Sequence, residues 1–384
     1  MSHRAHSERP ATALVMTGGG ARAAYQVGVL QAICEVLPNP RVNPFPIICG
    51  TSAGAINAVS LACHAENFQS AVDAVANVWR NFRAHQVYRA DSLGVAASGV
   101  RWLSALALGW LTHRAPQSLL DNAPLGRLLT SQLDFGGIDR AIGCGALRAV
   151  SVTASGYASG ESVSFFQATG SVEPWRRAQR MGCRTRLGVE HLLASSAIPF
   201  VFPAQRIHRE YFGDGSMRQL APISPAVHMG AQRILVIGSG RIEEPVSGRA
   251  RQYLYPSLAQ VAGHALSSIF LDSLSADVEQ LERINQLLGR INPDALAEAG
   301  VDFRPIRTLV ISPSERLDDL ATRYAGALPR GVRMMLGGIG GTRRRGGALV
   351  SYLLFEAPYT RALIRLGFQD AMVRRDEIKA FFDL

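Results

Sequence analysis

The chain has 384 residues, of which 18% are charged, and its mean hydropathy is +0.09. This composition excludes an intrinsically disordered chain, and the length supports one large domain or a core with a sizeable extension. The 37 glycines and 19 prolines follow no period, which excludes collagen-like repeats.

The charge balance is basic, since 40 Lys and Arg residues against 30 Asp and Glu residues give a formal net charge of +10. Lys379 is the only lysine, and arginine suits anionic lipid or nucleic acid because its guanidinium binds phosphate through paired hydrogen bonds. The scarcity of lysine runs through the whole chain, however, and a codon bias explains it more economically. Because no nucleic-acid-binding motif accompanies the charge, we expect no nucleic acid partner.

The five cysteines form no C-x-x-C pair, and none lies at zinc-finger spacing from a histidine, which indicates reduced thiols. The N-terminal sequence MSHRAHSERPA lacks the apolar stretch of a signal peptide. These features predict a cytoplasmic protein, with peripheral contact to the inner membrane left open. The most apolar window, Leu93–Leu111, contains Arg101 at its centre, so we expect an interfacial or core helix there rather than a membrane span.

In chain order, the first predicted elements are two short apolar strands at 12–17 and 45–50, each followed by a helical pattern. The helices are predicted at 21–37 and 53–64, the first closed by Pro38. The alternation of strand and helix is typical of a parallel α/β sheet.

Later strands are predicted at 147–153, 162–167, 233–239 and 306–312. Helical periodicity covers 66–82, 258–288 and most of the chain beyond Ser312, apart from a glycine- and arginine-rich loop at 337–347. We expect three parts: a polar tail at 1–10, an α/β core at 11–240, and a mostly helical region at 241–384 that packs on the core.

A serine within the motif Gly50-Thr51-Ser52-Ala53-Gly54 lies between a predicted strand and a predicted helix. This G-x-S-x-G pattern is typical of a nucleophile elbow, in which small neighbours let the backbone turn sharply and expose the serine hydroxyl beside a positive helix N-terminus. The simpler alternative is a turn with no catalytic role, because this five-residue pattern often occurs by chance.

A glycine-rich segment, Gly18-Gly19-Gly20-Ala21-Arg22, also joins a strand to a helix. Glycines at such a turn allow backbone N–H groups to approach an oxyanion. A nucleotide-binding loop is disfavoured because G-x-G-x-x-G is broken by Ala23 and no P-loop lysine follows. A purely structural glycine turn stays open.

The general base is better sought among carboxylates than among histidines. His228 and His264 lie in helical patterns with nothing distinctive around them, and few strands precede Ser52, so the usual Ser–acid–His order fits badly. Asp214 ends an apolar strand and precedes Gly215, and a carboxylate placed there could accept a proton from a serine hydroxyl. Taken alone, Asp-Gly is usually just a turn.

Together, these motifs resemble the patatin-like phospholipase family, which combines a glycine-rich oxyanion motif, a G-x-S-x-G serine and an Asp-Gly aspartate in a Ser–Asp dyad. Within roughly 12–240, the matching segments follow the family's order: Gly18–Arg22, Gly50–Gly54, Ala194–Pro199 and Asp214–Gly215. The resemblance implies a three-layer α/β/α fold with a mainly parallel central sheet, plus a largely helical C-terminal extension. One departure is Ser216, where the family more often has Gly or Ala; its hydroxyl could hydrogen-bond Asp214 and alter its basicity.

The resemblance also implies a lipid acyl hydrolase of the phospholipase A or lysophospholipase type. Ser52 would attack the acyl ester, Asp214 would act as general base, and the amides of Gly18–Gly20 would hold the oxyanion. Arg22 would orient this loop or bind a substrate anion. No metal or cofactor is expected.

Two other functions stay open at this point: a catalytically silent lipid-binding or regulatory module, and a non-lipid esterase or thioesterase that uses the same dyad. The expected partner is a phospholipid or another acyl-ester lipid. Leu93–Leu111 could contact lipid, and Arg343–Arg345 could contact anionic headgroups, although a core helix and a solvated loop are the simpler interpretations. The sequence does not indicate an oligomeric state.

Overall fold

The computed structural model describes residues 11–89, 118–241, 257–269, 273–291, 304–338, 340 and 347–384. The predictions for the tail at 1–10, for Leu93–Leu111 and for Arg343–Arg345 lie outside the described residues.

A mixed sheet of ten strands forms the centre of the described structure, in the order β10-β9-β1-β2-β3-β4-β6-β5, with β8 also paired to β3 and β7 to β8. The strands are β1 (Thr12–Met16), β2 (Ile47–Thr51), β3 (Ala149–Gly156), β4 (Ser162–Ala168), β5 (Trp175–Arg177), β6 (Arg180–Arg184), β7 (Gln205–Ile207), β8 (Glu210–Asp214), β9 (Arg233–Ile237) and β10 (Arg307–Ile311). The five neighbouring strands from β10 to β3 all run parallel, which confirms the predicted mainly parallel central sheet.

The described helices cover both faces of this sheet. They are α1 (Ala24–Val36), α2 (Ala53–Cys63), α3 (Phe68–Arg80), α4 (Ala123–Gln132), α5 (Gly136–Gly143), α6 (Val189–Ser195), α7 (Ser224–His228), α8 (Leu258–Ser267), α9 (Ser273–Leu288), α10 (Leu317–Tyr324), α11 (Arg330–Gly338), α12 (Gly347–Leu353), α13 (Ala357–Val373) and α14 (Arg375–Phe382). Short 3-10 turns at Gly20–Ala23 and Gly215–Met217 follow β1 and β8.

Alternating side chains of the parallel strands supply two separate apolar cores. In β1, Leu14 and Met16 pack into the core beneath α1 and α2, whereas Ala13 and Val15 pack into the core beneath α7 and α9. Because successive side chains of a strand point to opposite faces, a strand buried on both sides is apolar throughout. The arrangement is the predicted three-layer α/β/α fold.

The C-terminal part of the chain completes the same sheet and packs on α1. Strand β10 pairs in parallel with β9, from Arg307 opposite Arg233 to Ile311 opposite Ile237. Helix α13 crosses α1 so closely that a Cβ at Gly367 would overlap the carbonyl oxygen of Tyr25. The predicted division into parts at residue 240 stays a prediction.

The strand directions gather the candidate residues at one edge of the sheet. The glycine segment follows β1 and Ser52 follows β2, and carboxyl ends of parallel strands meet at a common edge. Strand β8 runs antiparallel to β3 and sets Asp214 opposite Ala154, near the carboxyl end of β3.

Among the described residues, no helix combines the length and the apolar character required to cross a lipid bilayer.

Candidate active site

Ser52 occupies a strained turn between β2 and α2. Its backbone has φ 54° and ψ −129°, a conformation that L-residues rarely adopt and that costs about 1–3 kcal/mol when the surroundings enforce it. The N–H of Ala55 donates to the carbonyl oxygen of Ser52 at 2.9 Å, which starts α2 directly after the serine. The hydroxyl therefore projects at the positive N-terminus of a helix, as in a nucleophile elbow.

The two glycines that flank this turn are required by close backbone contacts. A Cβ at Gly50 would lie 2.5 Å from the Cα of Ala55, and a Cβ at Gly54 would overlap the carbonyl oxygen of Met16. Gly54 thus allows α2 to begin against the end of β1, where the glycine segment also begins.

Ser195 hydrogen-bonds the backbone of the Ser52 turn. Its Oγ accepts the N–H of Ser52 at 2.8 Å, and its own hydroxyl donates to the carbonyl oxygen of Thr153 at 2.6 Å. The motif Ala194–Pro199 was noted in the sequence, but this contact with the Ser52 backbone was not foreseen, because only the tertiary fold brings the two segments together.

Asp214 lies directly against the serine hydroxyl. The Oγ of Ser52 donates to Oδ2 of Asp214 at 2.5 Å, across a sequence separation of 162 residues. The other carboxylate oxygen, Oδ1, accepts the N–H of Ser216 at 2.9 Å, and the Asp214 N–H donates to the carbonyl oxygen of Ala197 at 2.9 Å. The carboxylate is therefore fixed in position on both oxygens.

Burial controls the basicity of this carboxylate. Asp214 has 0% exposure, and loss of hydration raises its pKa to about 6. Hydrogen bonds from the Ser52 hydroxyl and from the backbone and side chain of Ser216 oppose this rise, because they stabilise the charged form. The hydroxyl at position 216 thus lowers the pKa of Asp214, whereas the sequence predicted an altered basicity without its direction.

The glycine segment lies beside Ser52 in the same cavity, which Gly20 and Ser52 both line. Gly20 has φ 54°, and a Cβ there would overlap the carbonyl oxygen of Tyr352. Ser239, just beyond β9, donates its hydroxyl to the Gly18 carbonyl oxygen. Within the described ranges, the N–H groups of Gly18 and Gly19 have no hydrogen-bond acceptor in the protein.

Arg22 is buried and binds the C-terminal part of the chain. Only 2% of it is exposed, its guanidinium forms an ion pair with Asp318, and its Nε donates to Oγ of Ser351 at 2.7 Å. The same guanidinium lies 3.9 Å from the ring centroid of Tyr352. Of the two roles that the sequence left open, this geometry supports orientation of the glycine loop over binding of a substrate anion.

A chain of buried amides connects the helices behind the glycine loop. Gln26 donates to the carbonyl oxygen of Thr17 at 2.8 Å and accepts a hydrogen bond from Asn57 at 2.9 Å. Asn57 in turn accepts the indole N–H of Trp79 at 2.8 Å. These isolated polar residues carry no recognisable sequence signal, yet together they fix α1, α2 and α3 around the end of β1.

The two histidines considered in the sequence have ordinary helical positions. His228 ends α7 and stacks on Trp175 with ring centroids 4.9 Å apart, and burial lowers its pKa to about 4. His264 is exposed on α8. Among the described residues, no group of three or more His, Cys, Asp or Glu side chains is placed to hold a metal ion.

The patatin-like phospholipase family model matches residues 14–227, more than half of the chain. The chain belongs to this family. The family assignment makes the protein a lipid hydrolase, and the matched segment contains the elbow serine, Asp214 and the glycine loop.

Similarity to individual proteins extends beyond the patatin segment. A protein of Pseudomonas aeruginosa named cGAMP-activated phospholipase is 27% identical over 329 residues, which cover 81% of this chain and 87% of the relative. A human GIVD cytosolic phospholipase A2 structure is 14% identical with a TM-score of 0.45 and covers 100% of this chain and 60% of its own. VipD from Legionella pneumophila is 12% identical with a TM-score of 0.38, at coverages of 96% and 67%.

An apolar cavity leads away from Ser52 along one face of α2 of the patatin-like chain. Ala53, Ile56, Asn57, Ser60 and His64 line it at helical spacing, so it follows the helix for about 16 Å. Its other walls are mostly apolar side chains of α3, α4 and nearby loops, namely Val75, Val78, Trp79, Phe82, Leu125, Leu128, Leu129, Ile198, Phe202 and Phe355. The polar residues Ser60 and His64, near the C-terminal end of α2, lie toward the end remote from the serine.

The pKa of Asp214 predicts a pH-dependent effect of Asp214→Asn on stability. Between its ordinary value near 3.8 and the raised value near 6, the folded protein binds more protons than the unfolded chain, so ionisation of Asp214 destabilises the fold as pH rises. Asparagine avoids this cost. The free energy of unfolding of the Asp214→Asn protein, minus that of wild type, should therefore increase by up to about 3 kcal/mol from about pH 4 to pH 7. Urea denaturation at the two pH values measures this difference.

The control for this variant is Asp73→Asn, which changes an exposed carboxylate on α3. Its difference from wild type should stay the same at both pH values. An equal effect of Asp214→Asn at both pH values would contradict the raised pKa.

Proposed function

We propose that the protein is a serine acyl hydrolase that cleaves carboxylic esters of phospholipids or lysophospholipids through a Ser52–Asp214 dyad. The observation that carries this proposal is the 2.5 Å hydrogen bond from the Ser52 hydroxyl to a fully buried carboxylate, where Ser52 lines an apolar cavity. A nucleophile, a base within hydrogen-bond reach and an apolar channel are the parts that hydrolysis of an acyl ester requires.

In the first step, Ser52 Oγ attacks the ester carbonyl carbon while its proton passes to Oδ2 of Asp214. The carbonyl oxygen becomes an oxyanion, and the N–H groups of Gly18–Gly20 donate hydrogen bonds to it. Collapse of this intermediate breaks the bond to the alcohol oxygen. Asp214 returns the proton to that oxygen. A phospholipid thus releases a lysophospholipid, a lysophospholipid releases a glycerophosphodiester, and the acyl group stays on Ser52.

In the second step, a water molecule attacks the acyl carbon while Asp214 accepts its proton. The oxyanion forms again at the glycine loop, the bond to Ser52 Oγ breaks, and the serine regains the proton from Asp214. A fatty acid is released and the dyad returns to its first state. Because burial raises the pKa of Asp214 to about 6, its carboxylate is a stronger base than an exposed one and is still largely ionised near neutral pH.

We expect Ser52→Ala and Asp214→Asn each to lower ester hydrolysis at least about a thousandfold, because each removes a group that acts in both steps. The measurement is the rate of fatty acid release from phospholipid vesicles by protein whose fold has been checked by circular dichroism. His228→Ala and His264→Ala are the controls and should stay within a few-fold of wild type. An active Asp214→Asn protein would disprove the dyad, and a folded but inactive histidine variant would indicate a triad.

The apolar cavity supports a long acyl chain over a short ester as substrate. Val78 on α3 lines the cavity, so Val78→Trp should obstruct it and lower hydrolysis of palmitoyl esters at least about tenfold, while butyryl esters lose little. Val373→Trp at the 87% exposed end of α13 is the matched control and should change neither rate. Equal losses with both esters would show that the acyl chain lies elsewhere, and poor use of all long-chain esters would favour a non-lipid esterase.

We further propose that a cyclic dinucleotide activates the hydrolase. The supporting observation is the similarity to a cGAMP-activated phospholipase over 81% of this chain, an alignment that is longer than the patatin segment and extends past its end at residue 227. Likeness confined to the catalytic part would carry no information on activation. Peripheral contact with an anionic membrane stays a prediction.

Activation is tested by ester hydrolysis with and without cGAMP. We expect fatty acid release to rise at least about tenfold on addition of cGAMP, with ATP and inorganic phosphate as controls that leave it unchanged. Hydrolysis that is equally fast without cGAMP would disprove activation while leaving the catalytic proposal intact.

A further inference from the structure

A second, open cavity lies at the edge of the sheet where β9 and β10 begin. Three arginines line it, Arg233, Arg304 and Arg307, together with the side chain of Gln232. The floor is rigid, because the side-chain amide of Asn285 on α9 accepts the N–H of Ile306 at 3.0 Å and donates to its carbonyl oxygen at 2.8 Å.

Among the described residues, the positive charge that lines this cavity exceeds the negative charge that faces it. Arg233 and Arg307 are opposite each other in the sheet and both donate to the carboxylate of Asp383, just after α14. Within the described part of the chain, Arg304 has no carboxylate partner: its Nη2 donates to the carbonyl oxygen of Ala231 at 3.5 Å, and its buried Nε has no acceptor. A buried guanidinium N–H without an acceptor is costly, and rotation of the Arg304 side chain toward an anion in the cavity would relieve that cost.

We propose that this arginine cavity is the binding site of the activating cyclic dinucleotide, a site that rests on the activation proposed above. Guanidinium groups recognise phosphodiester oxygens through paired hydrogen bonds. Three of them around one cavity, opposed by one carboxylate among the described residues, match a ligand that carries two phosphodiester charges. The apolar side chain of Ile306 and the planar guanidinium groups offer surfaces for a purine ring.

The arginine cavity lies away from the site at which Ser52 would meet the ester. Gly18 and Ser52 follow the carboxyl ends of β1 and β2, whereas Arg233 and Arg307 stand at the amino ends of β9 and β10, and all four strands are parallel. The two sites therefore lie at opposite edges of the sheet, about one strand length or 13 Å apart along the strands. A dinucleotide in the arginine cavity would not compete with the lipid.

Strand β9 joins the two sites directly. It begins at Arg233 and ends at Ile237, whose carbonyl oxygen accepts the N–H of Thr17 at 3.3 Å. Two residues later, Ser239 donates its N–H to Oγ1 of Thr17 at 3.1 Å and its hydroxyl to the carbonyl oxygen of Gly18. A ligand that displaces Asp383 from Arg233 would thus act on the strand that holds the glycine loop.

The test measures calorimetric binding of cGAMP to the full chain carrying Ser52→Ala, so that binding is read without any catalysis. Arg304→Gln and Arg307→Gln should each raise the dissociation constant at least about tenfold, since each removes charged hydrogen bonds to a phosphodiester. The control is Arg283→Gln on α9, which also removes one positive charge but from an ion pair with Glu279 that does not line the cavity. It should leave the dissociation constant unchanged. In the otherwise wild-type chain, Arg304→Gln should also abolish the activation by cGAMP.

A variant that is expected to bind cGAMP more tightly complements these losses, because misfolding cannot explain a gain of affinity. Asp383→Asn removes the carboxylate that competes for Arg233 and Arg307, so it should tighten cGAMP binding several-fold. Failure of the Ser52→Ala chain to bind cGAMP, or binding of inorganic phosphate as tightly as of cGAMP, would overturn the proposal. Binding and activation that survive Arg304→Gln and Arg307→Gln would overturn the cavity as the site but leave cGAMP activation standing.

Discussion

The hydrogen bond between Ser52 and Asp214 is the constraint around which the described structure is arranged. It places an ionisable carboxylate where water is excluded, a costly arrangement that survives only because other groups hold both partners in place. Ser195 holds the serine backbone, and Ser216 holds the second carboxylate oxygen. Burial raises the basicity of the aspartate, and the hydrogen bond from Ser52 partly offsets that rise.

The sequence sufficed for those parts of the site that depend on local backbone geometry. A serine or aspartate at a sharp turn needs small neighbours, and this requirement appears in the sequence as glycines at fixed spacing, as at Gly50 and Gly54. Buried parallel strands appear as continuous apolar runs, so β1, β2, β9 and β10 were predicted within about two residues of their bounds. The order of the motifs then predicted the family and the three-layer fold.

Contacts between distant segments were beyond the reach of sequence reasoning. Nothing near Arg22 indicates that it pairs with Asp318, and nothing near Ser195 indicates that it accepts the N–H of Ser52. The three-residue strands β5 and β7 were also missed, because strands this short show no periodicity and exist only through pairing with a neighbour. Helical patterning at 258–288 was predicted as one stretch, whereas the described residues form α8 and α9.

The patatin match ends at residue 227, but the sheet that supports the glycine loop does not. Strand β9 pairs with β1 on one side and with the outermost strand β10 on the other, and Ser239, Asp318 and Ser351 bind Gly18 and Arg22. The boundary drawn by family similarity is therefore not a boundary of folding. In evolution, the C-terminal third could therefore not be exchanged for an unrelated segment unless the glycine loop that it holds changed with it.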